Sequence, residues 1–90
     1  MRIKSSKRGL TFSFKEKESS HAGSRYRYYL DVKQNEIIIV PDENGPYKLS
    51  RKGAHHKPLV DLRNKEIKDI IAMASYMEIE ILDDKIIVSI

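Results

Sequence analysis

Ninety residues without a single cysteine make one small domain that no disulfide framework or thiolate metal site can brace, and a reducing cytoplasm is the expected setting. The net charge is only +4, yet the basic residues are clustered. Lys7 and Arg8 belong to a basic stretch over residues 1–27, and Arg51, Lys52, Lys57, Arg63 and Lys65 belong to another over residues 48–68, while the last fifteen residues are acidic. No run approaches the roughly 18–20 apolar residues of a membrane span, and the opening MRIKSSKRGLTFSF lacks the apolar core of a signal peptide, so a soluble protein with no membrane partner is expected.

The first predicted element is a strand in LTFSFKEK, where Leu10, Phe12 and Phe14 alternate with Thr11, Ser13 and Lys15. A loop, ESSHAGS, follows. From Arg25 the alternation resumes, with Tyr26, Tyr28, Leu30 and Val32 on the inward face. KQN then turns the chain into Ile37 to Val40, an unbroken apolar run expected to be covered on both faces. PDENGP ends the first half of the chain with its clearest breaker cluster.

The second half opens with YKLSRKG and KPLVDL, a loose hairpin around Gly53, Ala54, His55 and His56. One helix is predicted over residues 64–75, because Ile67, Ile70, Ile71 and Ala74 recur at i, i+3, i+4 and i+7, and Ile67, Ile70 and Ile71 are expected to face the strands. Asn64 is placed to cap its first turn by accepting from exposed amides, and Glu66 suits the positive end of its dipole. The chain closes with a hairpin, MEIEILDDKIIVSI, that presents Met77, Ile79 and Ile81 on one face and Glu78 and Glu80 on the other.

NKEIKDII, residues 64–71, and MEIEILDDKIIV, which follows the helix, resemble the corresponding segments of the AbrB-like family of swapped-hairpin barrels, which includes the AbrB and SpoVT regulators and the MazE-type antitoxins. The sequence departs from the family pattern at Asn64, where a proline is usual, in AMASYM, which lacks the usual Gly-Asp, and in the long loop from Gly53 to Lys57. The resemblance covers about half of the chain. It implies a mainly β fold with one short helix, built as a small swapped-hairpin-like barrel, and DNA contacts from the loop and strand ends before the helix. By resemblance those are Arg51, Lys52, His55, His56, Lys57, Arg63 and Lys65.

The two hairpins also resemble one another. At a constant offset of 49, Leu30 falls on Ile79, Val32 on Ile81, Ile37 on Ile86 and Ile38 on Ile87. Ahead of each stands a basic pair followed by glycine, Lys7-Arg8-Gly9 and Arg51-Lys52-Gly53. Two half-barrels closing within one chain would remove exposed strand edges, with residues 1–46 as the first half and 47–90 as the second, and Lys7 and Arg8 would then form the matching basic edge. The alternative is a homodimer of the second half, with residues 1–46 as an amino-terminal arm.

Catalysis finds little support. No glycine elbow marks a serine as activated, and the neighbouring His55 and His56 lack a third metal ligand at a standard spacing, so neither an enzyme nor a bound metal or cofactor is expected. Double-stranded DNA is the expected partner, since phosphates are met by Lys and Arg held on rigid elements, and the expected role is sequence-specific transcription regulation. A protein-binding module or inhibitor, or an antitoxin-like partner of a toxin, is the alternative.

Overall fold

The computed structural model describes residues 1–14, 25–52 and 57–90, with Arg51, Lys52 and Lys57 described by their backbone alone. In chain order the elements are β1 (Arg2–Lys4), β2 (Leu10–Ser13), β3 (Arg25–Asp31), β4 (Glu36–Pro41), β5 (Tyr47–Lys48), β6 (Ser50–Lys52), β7 (Lys57–Leu62), α1 (Lys65–Ile71), β8 (Tyr76–Ile81) and β9 (Ile86–Ser89). The protein is mainly β with one short helix, as expected, and its large sheet curls into a half-barrel.

Two antiparallel sheets are present among the described residues. The larger has the order β1-β8-β9-β4-β3-β5 and the smaller β2-β7-β6. Each predicted hairpin forms, β3 with β4 and β8 with β9, and the two lie side by side because the return strands β4 and β9 pair with each other. The period-two pattern explains which side chains turn inward. Leu10, Phe12, Val60 and Leu62 from the smaller sheet, with Phe14 just after β2, meet Tyr26, Ile37, Ile39, Met77, Ile79, Ile86 and Val88 from the larger one, and α1 adds Ile67 and Ile71 to the same core. Each aliphatic side chain so buried stabilises the fold by about 1.5–3 kcal/mol.

Four local expectations need correction. The run Ile37 to Val40 is covered on one face only: Ile37 and Ile39 are buried, whereas Ile38 and Val40 are half-buried. β4 is central in its sheet, so its backbone is bonded on both sides while its outer side chains stay in partial contact with water. The inward stripe of β3 stops at Leu30, because Val32 lies beyond the strand and is 81% exposed. The helix is shorter than predicted, and Ile70 is only half-buried beside the buried Ile67 and Ile71.

Asn64 supplies the fourth correction. It occupies the N-cap position with extended backbone, but its side chain makes no capping hydrogen bond. The amide nitrogen instead donates to the Tyr47 hydroxyl at 2.7 Å and the Tyr28 hydroxyl at 3.4 Å, while the Asn64 carbonyl accepts from the Lys68 amide at 3.0 Å. Two phenols within reach of one side-chain amide have displaced the local cap. The predicted strand LTFSFKEK is strand from Leu10 to Ser13, with Phe14 buried after it, and its remainder lies outside the described residues.

Candidate nucleic-acid interface

The smaller sheet carries most of the predicted binding residues at its ends. β2 runs antiparallel to β7 from Leu10 opposite Leu62 to Ser13 opposite Leu59, which brings the turn before β2 beside the corner between β7 and α1. That turn is closed by the Gly9 amide donating to the Ser6 carbonyl at 3.3 Å and the Arg8 amide donating to the Ser6 hydroxyl at 3.1 Å. Gly9 has φ +123°, and a Cβ there would stand 2.3 Å from the Leu62 carbonyl oxygen and 3.1 Å from the Arg63 Cα. Only glycine fits both demands, so the Lys7-Arg8-Gly9 sequence is what seats two cations against the Arg63 corner.

Lys7, Arg8, Arg63 and Lys65 are all exposed at this corner. The Arg63 guanidinium donates to the Asp61 carboxylate at 3.0 Å, and Thr11 donates to the same oxygen at 3.1 Å from the neighbouring strand. Lys7, Arg8 and Lys65 form no ion pair among the described residues.

The other predicted cations lie elsewhere. Arg51 pairs in the ladder with Pro58 and Lys52 with Lys57, at the start of β7, whereas Arg63 and Lys65 follow its end. Six residues of strand separate the two groups, about 20 Å at 3.3 Å per residue. The expected single surface is therefore two basic ends of one small sheet. Between them the outward positions are Thr11, Ser13, Ser50, Leu59 and Asp61, exposed or half-buried. His55 and His56 lie outside the described residues.

A second feature was only partly legible from alternation. Tyr26 and Tyr28 do share the inward face of β3, and Tyr47 on β5 joins them, with ring centroids 5.6 Å from Tyr26 and 5.4 Å from Tyr28. The Tyr28 hydroxyl donates to the Glu66 carboxylate at 2.9 Å, tying the strand to the first turn of α1. Burial, then the neighbouring Tyr47 hydroxyl and the Glu66 carboxylate, pushes the Tyr28 phenol above the usual tyrosine range. Tyr26 is 2% exposed, its hydroxyl forms no hydrogen bond within normal geometry among the described residues, and burial, only partly offset by the nearby Asp61 backbone amide, pushes its phenol up to about 12.

An open groove of about 410 Å³ runs past Arg27, Tyr28, Tyr29, Pro46, Tyr47 and Glu66. Its lining cation, Arg27, is committed, as is the neighbouring Arg25. Arg27 is ion-paired with Asp42, whose carboxyl is held below its usual range by the Asn44 amide and then by that guanidinium, and Arg25 donates to the Gly45 carbonyl at 2.7 Å. These two arginines anchor the turn between β4 and β5, and the groove offers phosphate less than its composition suggests.

Among the described residues no group of three or more His, Cys, Asp or Glu could hold a metal ion, and no helix is long and apolar enough to cross a membrane. No protein-family model, curated protein or solved structure matches this chain.

Proposed function

We propose that this protein binds double-stranded DNA through its smaller sheet, as a small sequence-specific regulator of the AbrB-like type. The observation that carries this reading is the corner where Lys7, Arg8 and Lys65 stand exposed around Arg63 without an ion pair among the described residues. Cations that no carboxylate neutralises are the ones that release counterions from a duplex and supply its non-specific affinity. The hydroxyls of Thr11, Ser13 and Ser50 on the outward positions between the ends can serve base edges or phosphates.

The strand order supports reading the chain as two half-barrels related by an approximate twofold axis. The larger sheet, β1-β8-β9-β4-β3-β5, keeps its order when β1 is exchanged with β5, β8 with β3 and β9 with β4. At its centre Ile38 pairs with Ile87, the residue 49 positions later, and Ile37 opposite Val88 mirrors Ile39 opposite Ile86. In the smaller sheet the midpoint of the β2–β7 ladder falls beside Thr11 and Asp61. On this reading the two basic ends are equivalent, so a duplex seated across them would meet both, and the favoured site has two similar half-sites.

The test is fluorescence anisotropy on a random-sequence duplex at two salt concentrations. Replacing Lys7 and Arg8 together by alanine should weaken binding and reduce the slope of log affinity against log salt by about two units. The Arg51→Ala, Lys52→Ala pair should do the same from the other end. If the wild-type chain prefers no duplex over heparin, or neither pair alters the slope, the smaller sheet is not a DNA surface.

A further inference from the structure

The two most exposed large apolar side chains among the described residues are Met73, at 86%, and Val32, at 81%, and they line the same groove. It is about 400 Å³, lies where the turn after β3 meets the end of α1, and is floored by Leu30, Ile70 and Ile90. Two carboxylates, Asp31 and Glu36, stand on its wall. Asp31 accepts from the Gln34 amide at 3.2 Å and Glu36 from the Ser89 hydroxyl at 3.4 Å, and neither is ion-paired among the described residues. An apolar floor beside unneutralised acids is the reverse of the basic corner at the other end of the helix.

From this we propose that the groove is a docking site for a basic amphipathic helix of a protein partner, which seats an aliphatic side chain against Val32, Ile70 and Met73 and places a Lys or Arg against Asp31 and Glu36. Charge complementarity selects this occupant. A second copy meeting the groove face to face would set Asp31 and Glu36 against their own counterparts, with like charges opposed in a partly desolvated contact. The chain's own remaining segments, KEKESSHAGS at residues 15–24 and GAHH at residues 53–56, contain no large apolar side chain to fill it. Aliphatic anchors entering a shallow apolar groove beside a helix are a common mode of helix recognition, and the flanking charge pair sets partner choice more than affinity.

The proposal is tested on the full chain with a short fluorescent Leu/Lys amphipathic peptide, an all-Lys peptide of equal charge and a Leu/Glu peptide of the same pattern. The Leu/Lys peptide should bind, the other two should bind at least about tenfold more weakly, and the amide resonances of Val32, Met73 and Ile90 should move on titration. Met73→Glu and Val32→Lys change exposed positions, so both should stay folded and lower the affinity by about tenfold or more. Affinity for duplex DNA should be unchanged in both, because neither position lies on the smaller sheet or at its basic ends. Equal binding of the all-Lys peptide, or wild-type peptide affinity in Met73→Glu, would overturn the proposal. So would a concentration-dependent dimer, seen by sedimentation, that Met73→Glu dissolves, since a second copy would then be the occupant.

Discussion

The two long hairpins share a pattern of inward aliphatic residues but close differently. In β8–β9 the ladder reaches Ile81 opposite Ile86, and Ile81 packs half-buried against the core. In β3–β4 it stops at Asp31 opposite Glu36, so Val32, the counterpart of Ile81 at the offset of 49, is left in the turn. The cause is local: the Asp31 carboxylate accepts from the Gln34 amide and Asn35 takes φ +54°, a conformation asparagine tolerates, so the turn begins immediately after Asp31. At the counterpart position Glu80 has a longer side chain, and the later turn is closed by the Leu82 amide donating to the Lys85 carbonyl at 2.9 Å. A one-carbon difference in an acid thus accompanies the conversion of a packed aliphatic into an exposed one, and with it a candidate docking groove.

If the hairpins are equivalent where their return strands meet, the largest effects should be matched ones. Ile37→Ala and Ile86→Ala, at corresponding buried positions, should each cost about 2–5 kcal/mol in urea denaturation. A wild-type midpoint for either one alone would break the equivalence. The hairpin tips should then separate. Ile81→Asn places an amide against the core and should cost about 1–3 kcal/mol, whereas Val32→Asn should stay within about 0.5 kcal/mol of wild type. Similar losses at both positions would mean that Val32 is covered in solution.

The inner faces differ as well, since β3 carries Tyr28 where β8 carries Met77 at the offset of 49, and Tyr26 lies beside it on the same face. The Tyr26 phenol is neutral in the folded chain up to about pH 12 and ionises near 10 once unfolded. The folded state therefore holds the extra proton between those values, and stability should be fully present below pH 10 and fall as pH rises toward 12. Tyr26→Phe should flatten that decline with little change in the melting temperature at neutral pH, because the lost hydroxyl forms no hydrogen bond within normal geometry among the described residues. A decline of wild-type steepness in this variant would assign it to another group. Tyr28→Phe removes the donor to Glu66 and should cost about 0.5–1.5 kcal/mol at neutral pH. A double-mutant cycle with Glu66→Gln checks it, and additivity would show the contact to be inert.

Chain-local patterns were enough to locate the strands through Phe12, Tyr26, Ile37, Met77 and Ile79, the breaker at residues 41–46 and a helix burying Ile67 and Ile71. Each depends on periodicity or on a residue's own backbone preference, which neighbours in the chain carry between them. The basic stretches were legible in the same way, but not their division between the two ends of β7, because that depends on which strands pair and in which direction. Tertiary structure also decided that the Asn64 amide serves Tyr47, 17 residues away, and Tyr28, 36 residues away, in place of its own helix. A side-chain amide bonds whatever acceptor the assembled sheets bring within about 3 Å, and that choice exists only after β3, β5 and α1 have met.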